Sequence, residues 1–178
     1  SIRGTASTGF RAPTPGQANI ANISTVSGLD GVLFQRGTLS PTNPVSAFYG
    51  GKELTPEESE SISLGLVWDV TDALSVTLDA YQIELTDRIT QGDEVTVTDA
   101  DIDTLTGLGV TGAGDLTTFK FYVNDFDTTT TGFDLVATYG AEMFNGNTDF
   151  TFVYSDVETE VDRSKNGLVG GTFIRRLE

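Results

Sequence analysis

Three aspartates recur at every second position in the stretch TDADIDTLTGLG, where alternating carboxylates could supply oxygen ligands to a calcium ion. A calcium loop of the EF-hand type needs acidic residues at its first, third and fifth positions, then Gly at the sixth and Glu at the twelfth. Asp99, Asp101 and Asp103 meet the first requirement, but Thr104 and Val110 occupy the sixth and twelfth positions. The stretch therefore predicts no metal site.

The composition of the 178-residue chain restricts other kinds of chemistry. Histidine and cysteine are both missing from the sequence, so it lacks the usual general base, the usual zinc ligands and any disulfide. Glu57 and Glu58 are adjacent, and adjacent strand residues point to opposite faces, which argues against a catalytic carboxylate pair. The net charge of −16 would repel nucleic acid. We expect no enzyme, no cofactor and no nucleic-acid partner.

The same acidic stretch favours a short helix near residues 99–107. Thr98 can cap the first turn, where acidic side chains are favourable. A glycine is expected to end the helix, at Gly107 or Gly109. Three apolar residues are expected on one face of this helix: Ile102, Leu105 and Leu108.

Alternation of apolar and polar residues predicts an all-β framework of five strands, which must position any site. In SISLGLVWDV, Ile62, Leu64 and Leu66 alternate with serines and a glycine. In the third strand, residues 74–89, the apolar residues occupy even-numbered positions as far as Ala80 and odd-numbered positions after it. The predicted strands are residues 1–10, 61–70, 74–89, 119–140 and 148–157.

The gaps between these strands alternate between long and short. Residues 13–55 and 91–117 form long gaps, whereas the turns at 71–73 and 142–147 are tight. This rhythm is typical of a transmembrane antiparallel β-barrel with short periplasmic turns and long extracellular loops. A secreted, acidic β-sandwich with an adhesion or binding role is the alternative. In the barrel interpretation an aromatic belt at the membrane interfaces is expected from Trp68, Tyr81, Tyr139 and Tyr154.

Two polar stretches are assigned separately. Residues 125–131, DFDTTTT, are either a lumen-lining stretch or a strand outside the membrane. The charged run at 156–165, DVETEVDRSK, is interpreted as a solvated loop.

Two ordered motifs, GFRAPT and, one long gap later, LTPEESESISLGLVW, carry a family resemblance. The chain resembles the TonB-dependent outer-membrane receptors, whose barrel strands carry a Phe-Arg-Ala-Pro segment and then a Leu-Lys-Pro-Glu-x-Ser segment before a Leu-Gly-Leu strand. The segments LSVTLDAYQIELTDRI and FYVNDFDTTTTGFDLVATY resemble the strands that follow. Thr55 stands where the family often has Lys, and Ser63 where it often has Glu. The motif residues are Phe10, Arg11, Pro13, Leu54, Pro56, Glu57, Ser59 and Gly65.

The resemblance implies that residues 1–178 are the C-terminal part of a barrel of roughly 22 strands, with the plug domain and its TonB box absent from them. It implies a receptor in the outer membrane of a Gram-negative bacterium, in contact with lipid, that imports a scarce small-molecule or metal-chelate ligand with energy from TonB. A ferric siderophore is the first ligand class implied, with a vitamin or an oligosaccharide as alternatives. Ligand contacts are expected in loops 13–55 and 91–117.

The segment GFRAPTPGQ, residues 9–17, is expected to end the first strand and predicts one specific contact. Strand parity places Arg11 on the polar lumen face and Phe10 on the outward face. Pro13 and Pro15 cannot donate ladder hydrogen bonds, so the chain is expected to leave the barrel wall there. We predict that Arg11 lies near Glu57 or Glu58, at the point where the chain returns to the wall.

Overall fold

The fold is taken from a computed structural model of the chain. It describes the backbone of residues 1–28, 31–112, 114, 116–143, 145–164 and 167–169, and the side chains of these residues except those of 162–164. The FIRRLE segment, which resembles the start of a later family segment, lies outside the described residues.

The strands form two separate sheets, and three short helices occur between strands along the chain. In chain order the elements are β1 (Ile2–Arg11), α1 (Pro15–Asn19), β2 (Asn22–Ser27), β3 (Leu33–Thr38), α2 (Pro44–Phe48), β4 (Glu57–Thr71), β5 (Leu74–Gln91), β6 (Val95–Thr96), α3 (Asp99–Gly107), β7 (Thr118–Lys120), β8 (Tyr122–Met143) and β9 (Gly146–Ser164). The first sheet, the wall sheet, has the order β1-β4-β5-β8-β9 and is antiparallel throughout. The second, the loop sheet, has the order β2-β3-β7-β6.

The wall sheet confirms the five predicted strands and both tight turns. Asp72 and Ala73 alone connect β4 to β5, and β8 turns into β9 through Asn145 in the left-handed conformation, with φ 63°. The wall strands are longer than expected, because β9 runs on to Ser164. The prediction that 156–165 form a loop is therefore wrong for 156–164, which pair with β8.

The two faces of the wall sheet differ in chemistry. On the outer face, large apolar side chains are exposed: Ile62 is 61% exposed, Leu64 63% and Phe152 58%. On the inner face, neighbouring strands are joined by polar contacts such as Ser7 Oγ to Ser61 Oγ at 2.8 Å. A single sheet with apolar side chains on one face and hydroxyl groups on the other suits the wall of a membrane barrel.

The long gaps contain regular secondary structure beyond the one helix that was predicted near residues 99–107. Their strands and helices make a compact unit, the loop unit (the described residues of 13–55 and 92–121), whose apolar core also includes Val123 and Val169. Parallel pairing of β3 with β7 joins the two gaps, with Arg36 opposite Thr118. Among the described residues, no helix has the length and apolar character needed to cross a membrane.

The proline break after β1 begins a helix. Thr14 is the N-cap of α1, its hydroxyl accepts from Gln17 N, and Pro15 occupies the first turn, where its missing N–H costs nothing. The prediction that the chain leaves the wall sheet at the prolines is confirmed, but it enters a helix rather than an irregular loop.

The third helix closely follows its prediction. Thr98 caps α3 in a reciprocal capping box with Asp101, and Gly109, at φ 80°, ends the helical turn. Leu105 is fully buried. Leu108 is the C-cap and its N–H still donates to Thr104 O at 3.0 Å, but its side chain is 70% exposed, so the apolar face is not buried as far as its end.

Candidate ligand-binding site and the neck that positions it

A bidentate ion pair closes the point where the first loop leaves and rejoins the wall sheet. Arg11 Nε and Nη2 donate to the two carboxylate oxygens of Glu57 at 2.5 and 2.7 Å. The two residues are direct partners in the β1–β4 register. The prediction that Arg11 contacts Glu57 or Glu58 is confirmed for Glu57.

The Glu57 carboxylate also binds a third strand. Glu57 Oε1 accepts from the backbone N–H of Ile89 at 2.7 Å. The Glu57 side chain is only 11% exposed, whereas that of Arg11 is 59% exposed. A carboxylate held this far from water requires such partners, because a buried charge without them is strongly unfavourable. Glu57 thus ties β1, β4 and β5 together beneath the loop unit.

An asparagine completes this junction. Asn124 Oδ1 accepts from Thr55 N at 2.9 Å, and Asn124 Nδ2 donates to Thr55 O at 3.0 Å and to Asp87 O at 2.6 Å. The side chain takes the place of a paired strand for the returning loop. Asp87 lies at a bulge in β5 and has a φ of 54°, a conformation that is uncommon for residues other than glycine. We call Arg11, Thr55, Glu57, Ile89 and Asn124 the neck.

The neck holds the two candidate ligand loops, which share a single core. Phe119 and Leu105 are fully buried in it, and the ring of Tyr49 packs edge-on against Phe119 at a centroid distance of 5.5 Å. Burial, and then the negative charge of Asp101, raise the pKa of Tyr49 to about 12. Tyr49 is therefore neutral at physiological pH and serves as a packing residue. Loops 13–55 and 91–117 accordingly form one body.

The inner face of the wall sheet carries a second ion pair. Arg3 Nη2 lies 2.6 Å from Asp79 Oδ2, although Arg3 is on β1 and Asp79 on β5. The pair crosses over Gly65, which is opposite both residues in the register. A Cβ at position 65 would lie 2.5 Å from Arg3 Nε, so glycine lets the pair cross without either side chain shifting.

Another inner-face contact corrects the predicted aromatic belt. Tyr81 has the parity of Asp79, and its ring covers Gly132, where an added Cβ would lie 2.6 Å from the phenol oxygen. Tyr81 therefore faces the inner side. Trp68 and Tyr139 do lie on the outer face near the tight turns, 59% and 49% exposed, as the prediction requires.

The other motif residues have structural positions. Phe10 is 80% exposed on the outer face of β1, and Leu54 is buried where the loop unit meets the wall sheet. Ser59 lies across from Gly9 on the inner face, where its hydroxyl would overlap any Cβ at position 9. Pro13 is half-buried and Pro56 is exposed, on either side of the neck.

Membership of a protein family follows from one comparison. The sequence model described as "TonB dependent receptor-like, beta-barrel" matches residues 1–176. The chain belongs to the TonB-dependent receptor-like β-barrel family. No curated protein and no solved structure matches the chain significantly. The match decides against the β-sandwich alternative, and the predicted antiparallel β-barrel wall is confirmed as an open sheet.

Family membership indicates what the two faces of the wall sheet are suited to. TonB-dependent receptors are outer-membrane receptors and transporters of Gram-negative bacteria, and they work by binding a ligand and interacting with TonB. In this family the apolar outer face of the wall sheet suits lipid and the polar inner face suits the lumen. Among the described residues, no group of three or more acidic side chains is arranged to hold a metal ion.

Sequence reasoning missed the neck residues outside the motifs. Ile89 contributes only a backbone N–H, which no side-chain pattern reveals. Asn124 had a visible signal, because asparagine is depleted inside strands and here interrupts the apolar run FYVNDF. Asn at such a position indicates a side chain that replaces backbone pairing.

Proposed function

We propose that residues 1–178 supply part of the barrel wall and two extracellular loops of a receptor that imports a scarce nutrient with energy from TonB. Under this proposal the plug domain and TonB box belong to another part of the protein. A ferric siderophore is the proposed ligand class, ahead of a vitamin or an oligosaccharide.

The main support is that the two candidate loops form one preorganised body on the wall. A receptor for a scarce ligand gains affinity when its binding surface is ordered before the ligand arrives, because less conformational entropy is lost on binding. The shared core and the neck provide that order. The proposed work is binding and gating, without a covalent step.

Uptake in a strain that lacks the full gene tests this function. We expect loss of growth on, and of uptake of, at least one ferric siderophore, restored by the gene only when TonB is present. Vitamin and oligosaccharide uptake are measured alongside to identify the ligand class. Unchanged uptake of every compound, with or without TonB, would refute the proposal.

A further inference from the structure

A cleft opens in the loop unit between its two constituent loops. Its volume is about 670 Å³, within the range of about 300–1,000 Å³ usual for small-molecule sites. Buried Leu39 and Val45 line it from the first loop, and exposed Leu108 lines it from the second. Each side of the cleft thus comes from a different candidate ligand loop.

Both sides of the cleft are anchored. On one side Asn43 Oδ1 accepts from Val45 N at 2.9 Å and begins α2. On the other, Gly109 N donates to Thr106 O at 2.9 Å and Val110 N donates to Leu105 O at 2.9 Å, which ties the turn after α3 to that helix. The cleft is therefore formed before any ligand is bound.

The chemistry of the lining is uncharged. Its polar side chains are Gln35, Asn43 and Thr111, which offer amide and hydroxyl groups that can donate or accept hydrogen bonds. None of the described lining residues is charged or aromatic. An ionised group placed here would lose water without gaining a counter-charge, which is unfavourable.

The charge of the surrounding chain excludes anions further. The two segments of the loop unit, residues 13–55 and 92–121, together contain eight acidic and three basic side chains. The nearest basic residue to the lining along the chain, Arg36, is already paired with Glu94. A multiply charged anion would therefore meet a repulsive field as it approached the loop unit.

We propose that this cleft is a binding site for an uncharged ligand with mixed apolar and hydrogen-bonding surface. The role of this site in uptake rests on the proposed function. Given that function, the uncharged lining narrows the ligand class. Among ferric siderophores it is the neutral tris-hydroxamate complex, whose ligands balance the ferric charge. The trianionic ferric tris-catecholate is excluded.

Calorimetric titration of the full-length receptor in detergent with these two complexes tests the site. Wild type should bind the ferric tris-hydroxamate and show at least about tenfold weaker binding of the tris-catecholate. The variant Leu108→Asp places a charge in the cleft and should weaken tris-hydroxamate binding by at least about tenfold.

Leu33→Asp is the matched control, because Leu33 is 69% exposed on the loop unit, like Leu108 at 70%, but does not line the cleft. Its affinity should stay within about twofold of wild type. Equal loss in both variants, no loss in either, no measurable binding of the tris-hydroxamate, or tighter binding of the tris-catecholate would each overturn the proposal.

The uptake assay separates this failure from failure of the proposed function. TonB-dependent uptake of the tris-catecholate alone would leave the receptor function standing and overturn the uncharged site. Uptake of neither complex, nor of any vitamin or oligosaccharide, would refute the receptor function, while the titration would still decide whether the cleft binds the neutral complex.

Discussion

The wall sheet leaves Leu64 63% exposed and Phe152 58% exposed, whereas the loop unit buries Phe119 and Leu105 completely. The wall strands are long, antiparallel and alternate with a period of two, while the loop sheet uses strands of two to six residues and one parallel pair. One region thus presents its apolar side chains on a surface, whereas the other encloses them in a core. The two regions do not differ in having large apolar side chains. They differ in whether those side chains lie on an exposed face or in a core.

The strongest test of this contrast removes an aromatic ring from each region. Phe119→Ala should destabilise the loop unit by about 3–5 kcal/mol, the usual cost of truncating a buried aromatic residue. Hydrogen exchange of the full receptor in detergent should accelerate in β3 and β6 but not in the wall sheet. Phe152→Ala, on the exposed outer face, should leave the loop unit unchanged. Equal acceleration in both variants would show that the two regions unfold together.

The neck should be the next most sensitive point, since it joins the two regions. Glu57→Ala removes the acceptor of Arg11 and Ile89 N–H and should cost about 1.5–3 kcal/mol, the range for hydrogen bonds to charged groups. Faster exchange is expected across residues 13–55. Glu58→Ala changes an exposed neighbour and is the control. If both variants behave alike, the neck does not hold the loop unit.

Within the wall sheet, Gly65→Ala should disturb the ion pair that crosses it. The added methyl group overlaps Arg3 and Asp79, and because the ends of these two side chains can shift, the cost should fall at the low end of the roughly 1–3 kcal/mol usual for overpacking. Urea unfolding of the receptor in detergent measures the change. Gly4→Ala is the control, because its Cβ would meet Ser63 O at an ordinary 3.8 Å. In an Arg3→Ala background the cost of Gly65→Ala should fall; an unchanged cost would contradict the crossing.

A smaller effect is expected at the cap of α3. Thr98→Ala removes the hydroxyl that accepts from Asp101 N, and such caps contribute about 1 kcal/mol. Exchange should accelerate in the first turn of α3 alone. Thr106→Ala, later in the same helix, keeps the cap and should have a lesser effect. Acceleration throughout the wall sheet would contradict the independence of the loop unit.

The smallest expected effect is a pH dependence at the same cap. Hydrogen bonds from Thr98 hold the pKa of Asp101 below its ordinary range. The folded state therefore favours ionised Asp101. The contact stabilises α3 at pH values above the pKa that Asp101 has in the unfolded chain. This stabilisation is lost as the pH falls through the lower pKa of the folded state. In an NMR titration of the Asp101 carboxyl group, Thr98→Ala should shift the midpoint upward. An unchanged midpoint would show that Thr98 does not set it.

The wall sheet was predictable because its signal is local. A strand that divides lipid from lumen alternates at every residue, so Ile62 to Leu66 reveal their faces without any knowledge of partners. The ion pair of Arg11 with Glu57 followed from parity and a family motif. The prediction for Tyr81 was wrong because a tyrosine in a strand looks the same in the sequence whether it belongs to an outer belt or, as here, covers a glycine (Gly132) on the inner face.

The loop unit was not predictable for the opposite reason. Its two-residue strand Val95–Thr96 is too short to show any period, and its core combines residues that are far apart in sequence, from Leu39 to Val169. The proposed cleft depends on which apolar residues remain exposed after packing, such as Leu108, and only the folded structure decides that.

The parallel pairing of β3 with β7 has a consequence for the order of assembly. Arg36 and Thr118 pair across 82 positions of sequence, and the β4–β5 hairpin lies between them. Closing so long a segment of free chain is entropically costly, and a hairpin that has already formed brings its ends together. Prior formation of the hairpin would lower the entropic cost of pairing β3 with β7. We therefore expect the loop unit to be completed late in folding, on a β4–β5 hairpin that has already formed.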